Sequence, residues 1–588
     1  MQSILICGGG TMQLPAIRIA RREGIRCVVA DGNPSCPGRS EADAFENIDL
    51  YDVEGMTEAA RRHSVDGVFT AGTDFSTTVA WVADALGLPG IPYDVALRAK
   101  DKGLMRETLR AAGVNVPPFV VYGQGEVGAD RVPFPAVVKP VDNMGSRGVK
   151  TVYSPDERER AVAEAMRSSR SGRVICEAFI PGSEYSIDAI SYRGSVSICG
   201  IGDRHIAFSP YFVETGHTIP TRAGAEQKRV LSHAFSAAVR AIGIDPGAAK
   251  GDVFLVERAS APEWLADRVP HGDWIPVVGE IAARLSGGYM SGWTYPLARG
   301  AEPTLAALRI ALGQSPEGLA ETRRNFSAER AIMSIPGIVR RFDSVPEHET
   351  VFLTRKPGDR VALPTSNVEK CGNLIATATS YEAACTRCDG YIRSLSVRLE
   401  PEDPGTEAFL FGGVLETGDP AAPLTVWDAD LRNAKRRNLE LEQEVCTRLR
   451  SLIEAQLQQE TFGFSEANES EEGTLSGTGN RDEGEGPSSW TECPWTECLW
   501  QRLDSLDASL RDSVSDTRKA SRADCVRFLT DNLRIEVPPR FRDILCCFAL
   551  LAIERGGLQG CEYLIDTVTR PEDVAALCQR LVIRSRDG

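Results

Sequence analysis

Short apolar runs and helical repeats alternate along the first hundred residues. The runs at 3–7, 26–30 and 67–70 each predict a β-strand, and a turn with glycine follows each of them. Strand, glycine turn and helix in alternation are typical of a parallel α/β sheet. Such sheets bind ligands beyond the carboxyl ends of their strands. The turns at 8–10 and 72–74 are therefore either substrate-side loops or simple tight turns.

The pattern changes to a mixed α+β type between residues 97 and 300. An amphipathic repeat predicts one helix over 97–114, and Gly113 is a typical C-cap signal. Segments in which apolar residues alternate with polar ones, or run continuously, predict further strands. We expect these strands to pair with strands that are close in sequence. These strands lie at 135–140, 173–180, 184–193, 195–203, 251–257 and 274–283.

The rest of the chain differs in composition from the first 300 residues. An α/β pattern continues to about 415, and residues 427–460 are polar and favour one long helix. Residues 465–490 have too little apolar content to form a core, which predicts a disordered linker. Residues 500–588 are predicted to be helical, with the apolar segment DILCCFALLAI as a buried core helix.

Composition limits the possible partners and the compartment. A chain of 588 residues is expected to form several domains. Its net charge of −16 argues against a nucleic acid or an anionic membrane as main partner. With no export signal and no apolar run near the roughly 18 residues of a membrane span, the chain is predicted to be cytoplasmic. Its 16 cysteines are then expected to be reduced thiols.

The segment VVKPVDNMGSRGV at 137–149 has a lysine before a glycine loop rather than within or after it. A P-loop requires Lys and Ser or Thr directly after its last glycine, and a dinucleotide fingerprint requires three spaced glycines. Neither pattern is present. Lys139 instead ends a predicted strand, where its ammonium group can reach a phosphate as a point charge. The glycines that follow allow a backbone to approach phosphates closely.

Further groups suited to ATP chemistry follow in order along the chain. Phosphates require cations, Mg²⁺ requires carboxylates, and the sugar hydroxyls require an acceptor. The residues that offer these groups, through their side chains or their backbone, are Lys102, Lys139, Asn143, Gly145, Ser146, Gly148, Glu177, Ala178, Phe179, Ile180, Glu184, Asp252, Glu280 and Arg284. Asp252 and Glu280 lie on two strands that are predicted to be neighbours, so they can share a metal ion.

This ordered set resembles the ATP-grasp superfamily, in particular carboxylate–amine ligases and the carbamoyl-phosphate synthase large chain. The resemblance covers residues 1–300 well and 301–415 more weakly. It implies a Rossmann-like domain at 1–98, an ATP-grasp domain at 99–300 and an α/β extension at 301–415. The remaining predicted units are a long helix at 416–462, a linker at 463–499 and an all-α domain at 500–588.

The resemblance also implies a role for each residue. Lys102 and Lys139 would contact phosphates, and residues 142–148 would form a lid over them. Glu177 to Ile180 would contact adenine, and Glu184 would hold the ribose. Asp252 and Glu280 would bind Mg²⁺, with Mn²⁺ as an alternative. Arg284 would stabilise an acyl phosphate. The segment ETGHTIPTR at 214–222 resembles a substrate-side segment, which makes His217 and Arg222 candidate substrate contacts, with Gly287 and Gly288 near the same ligand.

Two functions follow from the sequence. The first is an ATP-dependent ligase that activates a small carboxylate as an acyl phosphate for attack by an amine. The second is a nucleotide-binding scaffold without catalysis, because Ala282 stands where the family usually has a metal-binding Asn. Structural alternatives also remain open: His217 as a buried structural histidine, Arg284 as an ion-pair residue. A homo-oligomer or a protein partner could use the C-terminal helices.

The repeat WTECPWTEC at 490–498 is a second unusual motif. Cys493 and Cys498 could supply half of a zinc site, but no histidine and no second pair of cysteines lie nearby. A short docking motif or a chance duplication is the simpler interpretation.

Overall fold

The computed structural model describes residues 1–123, 132–268, 271–412, 445–447, 449–453, 522–533 and 539–587. The predicted linker, the WTECPWTEC repeat and most of the predicted long helix lie outside these residues. Residues 445–447 and 449–453, which fall in that predicted helix, are helical.

A parallel four-stranded sheet forms the N-terminal unit, in the order β3-β2-β1-β4. The predicted strands are confirmed, and the short strand β3 is additional. The strands are β1 (Ser3–Cys7), β2 (Arg26–Ala30), β3 (Ala44–Glu46) and β4 (Gly67–Phe69). The helices are α1 (Leu14–Arg22), α2 (Val53–Arg62), α3 (Ser76–Leu86) and α4 (Tyr93–Lys100).

The prediction of a single helix over 97–114 is wrong, because the helix is interrupted at Asp101. That residue is extended at φ −78° and ψ 113°, and its carboxylate accepts a hydrogen bond from the Leu104 N–H at 3.0 Å. A new helix, α5 (Lys102–Ala111), therefore starts at Lys102. The amphipathic pattern continues through the break, but an N-capping aspartate favours a helix start over a helix interior.

An antiparallel four-stranded sheet follows, in the order β5-β8-β6-β7. It consists of β5 (Phe119–Tyr122), β6 (Ala136–Pro140), β7 (Lys150–Val152) and β8 (Val174–Ala178). The helix α6 (Pro155–Ser168) covers one face, and the Ser154 side chain caps its start. This sheet carries Lys139 and Glu177 on two strands that pair with each other.

An eight-stranded sheet forms the centre of the molecule and crosses the predicted boundary at residue 300. In chain order its strands are β9 (Ser183–Tyr192), β10 (Ser195–Ala207), β11 (Val213–Ile219), β12 (Gly247–Glu257), β13 (Trp274–Ala282), β14 (Phe326–Ile332), β16 (Thr350–Leu353) and β18 (Gly372–Ala378). The spatial order is β13-β12-β9-β10-β11-β14-β18-β16. The helices of this region are α7 (Ala225–Ile242), α8 (Glu263–Ala266), α9 (Tyr295–Arg299), α10 (Pro303–Ala311) and α11 (Tyr381–Ser394).

The C-terminal helices share one hydrophobic core with a small third sheet. That sheet contains β15 (Gly337–Asp343), β17 (Arg360–Val361) and β19 (Ser396–Leu399), in the order β17-β15-β19. Against it pack α12 (Pro404–Phe411), α13 (Arg522–Asn532), α14 (Pro539–Thr567) and α15 (Pro571–Asp587). The apolar segment DILCCFALLAI lies in α14 and is buried from Ile544 to Ile553, as predicted.

Two further expectations concern membrane-spanning helices and the cysteines. Within the described residues, no helix has the length and apolar character needed to cross a bilayer. Over the same residues, no two cysteines form a disulfide bond with each other.

Candidate active site

Lys102 lies where the new helix α5 begins, beside the glycine loop. Its ammonium group donates a hydrogen bond to the Asn143 carbonyl oxygen at 2.8 Å. The same Nζ lies 3.4 Å from Oε1 of Glu280 on β13. One largely buried cation thus links the glycine loop with a predicted metal carboxylate.

A buried group of three charges lies beneath the loop. Lys139 Nζ donates to Oε1 of Glu177, while Arg106 Nε donates to Oε2 of Glu177 at 3.0 Å. Burial lowers the pKa of Lys139, and Glu177 only partly opposes this effect. Burial also opposes ionisation of Glu177, but Arg106 and Lys139 outweigh it and hold its pKa below the usual value. Two cations and one carboxylate thus form a single buried group at the end of the strand that precedes the loop.

The backbone of the glycine loop is shaped by residues in the left-handed region. Gly145, Ser146 and Gly148 have φ values of 67°, 59° and 71°. Asn143 Nδ2 donates to the Ser168 carbonyl at 2.8 Å, which anchors the start of the loop. Its centre is held by the C-terminal extension, since the Asn367 N–H donates to the Gly145 carbonyl at 3.0 Å.

The predicted adenine segment lies at the end of β8. The N–H groups of Ala178 and Phe179 donate to the carbonyls of Pro118 and Pro135, both at 2.9 Å. The side chain of Ile180 is buried against Val256 and its neighbours on β12 and β13. The contact of Glu177 and Ile180 with adenine stays a prediction.

Arg204 on β10 connects three carboxylates and was not recognised from the sequence. Its Nη1 lies 2.5 Å from Oε1 of Glu184 and 2.8 Å from Oδ2 of Asp252. Its Nη2 donates to Oε2 of Glu214 at 2.5 Å. We call Arg204, Glu184, Glu214 and Asp252 the Arg204 cluster. All four side chains are at most 15% exposed, so their charges interact through a medium of low dielectric constant.

The carboxylates of the Arg204 cluster differ in their acidity. Burial raises the pKa of Glu184 to about 7, although Arg204 acts in the opposite direction. Burial also disfavours the charge of Glu214, but Arg204 and Lys370 outweigh it and lower the pKa of Glu214 to about 2. Glu214 is therefore held in its charged form beside Arg204, whereas burial favours the neutral form of Glu184.

The two predicted metal ligands face each other across neighbouring strands. Asp252 on β12 pairs with Glu280 on β13. Lys250 Nζ donates to Oδ2 of Asp252, while Oδ1 of Asp252 is buried without a hydrogen-bond partner. Burial disfavours the charge of Glu280, yet Lys102 and Lys250 outweigh it and hold its pKa well below the usual value. A hard oxygen ligand without a partner beside a second ionised carboxylate fits a bound Mg²⁺.

His217 is fully buried, and both of its ring nitrogens have protein neighbours. Nδ1 lies 3.0 Å from Oε2 of Glu329, and Nε2 lies 3.1 Å from the Thr294 hydroxyl. Neither Nδ1 of His217 nor Oε2 of Glu329 has a hydrogen-bond partner, although both atoms are buried. The structural alternative and the catalytic role of His217 both stay predictions.

Arg284 follows β13, and the residue after it contacts a turn of the N-terminal unit. Ala71 forms a bridge with Leu285, next to Arg284, and the Gly72 N–H lies 3.4 Å from the Leu285 carbonyl. Asp74 of the same turn lies in the field of Arg284, and burial raises the pKa of Asp74 in spite of the neighbouring cations. The turn at 72–74 therefore lies beside the region bounded by the glycine loop, the Arg204 cluster, Glu280 and Arg284, which we call the cleft. Its role as a substrate-side loop stays a prediction.

The other candidate substrate contacts lie in two different places. A Cβ on Gly288 would lie 3.0 Å from Oε1 of Glu214, so Gly288 lies next to the Arg204 cluster. Arg222 instead lies over the Tyr381 ring, and its N–H donates to Asp203 at 3.2 Å. Asp203 precedes Arg204 in β10 and thus faces the opposite side of the sheet. The structure does not bring Arg222 to the cleft.

Comparisons with known proteins agree with this geometry. Residues 132–261 match the family model described as an ATP-grasp domain, and residues 334–400 match the L-amino acid ligase C-terminal domain 2. The chain carries an ATP-grasp domain. The matched segment lies inside the predicted 99–300 range and contains Lys139, the glycine loop, the Arg204 cluster and Lys250.

Curated relatives of the ATP-grasp chain are distant. Carnosine synthase 1 of Gallus gallus is 24% identical over 344 residues, which is 53% of this chain and 35% of that protein. The carbamoyl phosphate synthase large chain of Haemophilus ducreyi is 22% identical over 332 residues, 49% of this chain and 30% of that protein. The chain spans about a third of the length of these relatives.

Solved structures show the same fold. An L-amino acid ligase from Bacillus licheniformis superposes with a TM-score of 0.58 at 21% identity, over 68% of this chain and 99% of that one. Phosphoribosylglycinamide synthetase from Anaerococcus prevotii gives a TM-score of 0.53 at 17% identity, over 68% and 100% of the two chains. The resemblance to the ATP-grasp superfamily that the sequence predicts is confirmed.

Sequence reasoning missed four charged residues of the ATP-grasp cleft. They are Arg106, Arg204, Glu214 and Lys250. Two signals were available. Arg106 lies four residues after Lys102 and so on the same helix face, and Lys250 lies two residues before Asp252 and so on the same strand face. Arg204 and Glu214 are brought to the cleft by the pairing of β10 with β11.

Proposed function

We propose that this protein is an ATP-dependent ligase that joins an amino acid, through its carboxylate, to an amine. In this reaction the carboxylate oxygen attacks the γ-phosphorus of ATP, which yields an acyl phosphate and ADP. The amine then attacks the acyl carbon, phosphate leaves, and an amide bond forms. ATP and Mg²⁺ are the proposed cofactors, with Mn²⁺ as an alternative metal.

The observation that carries the proposal is that Lys102 links the glycine loop to Glu280, which pairs with Asp252 on the neighbouring strand. Lys102 contacts the glycine loop, and Lys139, with its buried neighbours Arg106 and Glu177, lies at the end of the strand that precedes the loop. Fixed charges of this kind stabilise the transferring phosphoryl group without reorganisation. Asp252 and Glu280 would hold Mg²⁺, which supplies further charge neutralisation at the phosphates when bound.

The remaining residues of the cleft suit the acceptor side of the reaction. Arg284 would pair with the acyl phosphate, and Glu184 would accept hydrogen bonds from the ribose hydroxyls. Glu214 keeps a low pKa and turns Oε1 towards Gly288, where it can accept a hydrogen bond from a substrate ammonium group. The names of the relatives, carnosine synthase and L-amino acid ligase, support amino acids as the substrate class.

The test is a turnover assay on the full chain with Mg·ATP and pairs of amino acids. We expect ADP and phosphate release that depends on both amino acids, with an amide product detected by mass spectrometry. Lys139→Ala should reduce kcat/KM by roughly 100-fold or more, since it removes a cation at the developing charge. The fold should persist because Arg106 still pairs with Glu177.

Lys228→Ala, on the exposed face of α7, is the matched control and should retain full turnover. Full activity of Lys139→Ala would contradict the assignment.

A second candidate is a nucleotide-binding protein without turnover. Two observations favour it: Ala282 offers no metal ligand, and Asp252 is already in contact with Arg204 and Lys250. Calorimetric titration with Mg·ATP separates the two candidates. Tight binding with no phosphate release for any pair of substrates supports the second.

A further inference from the structure

Four side chains on β12 and β13 form a compact group on one face of the sheet. Lys250 pairs with Ala282, and Asp252 pairs with Glu280. Residues two apart on a strand point to the same face, and cross-strand partners are close neighbours. The group therefore has two rows. Asp252 and Glu280 form the carboxylate row, and the Lys250 ammonium group and the Ala282 methyl group form the other row.

Only the carboxylate row can bind a divalent cation. Mg²⁺ takes oxygen ligands in a nearly octahedral arrangement, and the methyl group of Ala282 offers none. The ammonium group of Lys250 has no lone pair, repels a nearby divalent cation and donates to Oδ2 of Asp252. The second oxygen, Oδ1, is buried without a hydrogen-bond partner.

Asp252 is thus divided between two functions. Oδ2 is in contact with two fixed cations, Lys250 and Arg204, the latter at 2.8 Å. Oδ1 remains for one further cation. Many phosphoryl-transfer sites use two divalent ions that share carboxylates. A shared arrangement of that kind would need Oδ2, which the protein's own cations occupy here.

We propose that the Lys250 ammonium group is a built-in cation that replaces a second divalent ion, so that the cleft binds nucleotide with one divalent ion. That ion would be held by Oδ1 of Asp252 and by Glu280. The inference rests on the proposed function in that it assumes a nucleotide triphosphate in the cleft. It accounts for Ala282, because no second ion requires a ligand at that position.

The experiment counts metal ions rather than turnover. The full chain is saturated with the non-hydrolysable ATP analogue adenylyl imidodiphosphate, and bound Mn²⁺ is measured by electron paramagnetic resonance. We expect one Mn²⁺ per chain and no spin coupling between metal ions. Two bound Mn²⁺ on the unaltered chain would overturn the inference, and so would a failure to bind the analogue with Mn²⁺ at all.

Variants at position 250 test the charge itself. Lys250→Met keeps the chain length but removes the cation, so the affinity for the analogue at saturating Mn²⁺ should fall at least tenfold. Lys250→Arg keeps the cation and should restore the original value. The double variant Lys250→Met with Ala282→Asn should bind two Mn²⁺. Unchanged analogue affinity in Lys250→Met would contradict the proposal.

Lys228→Met on the exposed surface of α7 is the control for a lost positive charge. Its Mn²⁺ count and analogue affinity should match those of the unaltered chain. Circular dichroism spectra of all variants should coincide, and the count on the unaltered chain tests the inference without any variant. One bound Mn²⁺ with no amide product for any substrate pair would remove the proposed ligase function and leave the inference standing.

Discussion

Glu184 has a protonation state that depends on the fold rather than on its own chemistry. It is buried next to Arg204, and its pKa is raised to about 7 chiefly by desolvation. A carboxylate with a raised pKa is ionised above that pH and protonated below it. If Glu184 accepts hydrogen bonds from the ribose hydroxyls, protonation of its carboxylate converts one acceptor oxygen into a donor. Nucleotide affinity should then depend on pH near neutrality.

We predict that ADP affinity falls by about tenfold between pH 8 and pH 6, as expected for loss of a carboxylate with a pKa near 7. Glu184→Gln cannot titrate and should bind ADP more weakly at pH 8. The terminal phosphate of ADP also titrates in this range, so the informative quantity is the difference between the two proteins, measured by calorimetry. Parallel pH curves for the two proteins would contradict a role for Glu184 in nucleotide binding.

At the scale of elements, a short turn of the C-terminal extension connects two parts of the cleft. The turn at 366–369 presents Asn367, whose N–H donates to the Gly145 carbonyl of the glycine loop. The Asn367 side-chain oxygen accepts a hydrogen bond from the Glu214 N–H at 2.8 Å. A single residue thus joins the loop to β11, the strand of the substrate side. The position of the loop therefore depends on a segment 220 residues later in the sequence.

Asn367→Ala should loosen the glycine loop without unfolding the protein. The change removes the acceptor for the Glu214 N–H, a loss of about 1 kcal/mol. We expect hydrogen exchange in residues 143–148 to accelerate roughly fivefold, with a similar loss of nucleotide affinity. Asn532→Ala removes a comparable 2.8 Å bond to a backbone carbonyl on α13 and is the matched control. Unchanged exchange in the loop would show that the Asn367 side chain does not hold it.

The whole molecule is divided differently from the predicted domains. The central sheet includes strands from both sides of residue 300. The C-terminal helices do not form a core of their own among the described residues. Phe548 of α14 packs edge-on against Phe411 of α12 with ring centroids 4.9 Å apart, and both side chains are fully buried. The helices and the small third sheet should therefore unfold as one cooperative unit.

Phe548→Ala should destabilise that shared core by about 3–5 kcal/mol, the usual cost of removing a buried aromatic ring. Hydrogen exchange measured by mass spectrometry should then accelerate together in α14, β15 and β19. The strands β1 and β2 serve as the internal control and should keep their protection. Acceleration confined to α14 would show that the helices form an independent domain.

The sequence alone determined the local elements and the order of the chemical groups. Periodicity located most strands of the first 300 residues, and Lys139 with its glycine loop led to the ATP-grasp resemblance. Periodicity failed where one pattern fits two structures. At Asp101, an N-cap interrupts a continuous amphipathic repeat. Local signals of this kind depend on neighbours within a few residues.

The tertiary structure decided which charges meet. Arg204 contacts Asp252, Lys250 faces Ala282, and Asn367 holds a loop far away in sequence. These contacts depend on strand order and cross-strand register, which the packing of the whole sheet fixes. The sequence supplied the groups for nucleotide chemistry. The fold alone decided their partners, because the charge and protonation of a buried group depend on what long-range packing places beside it.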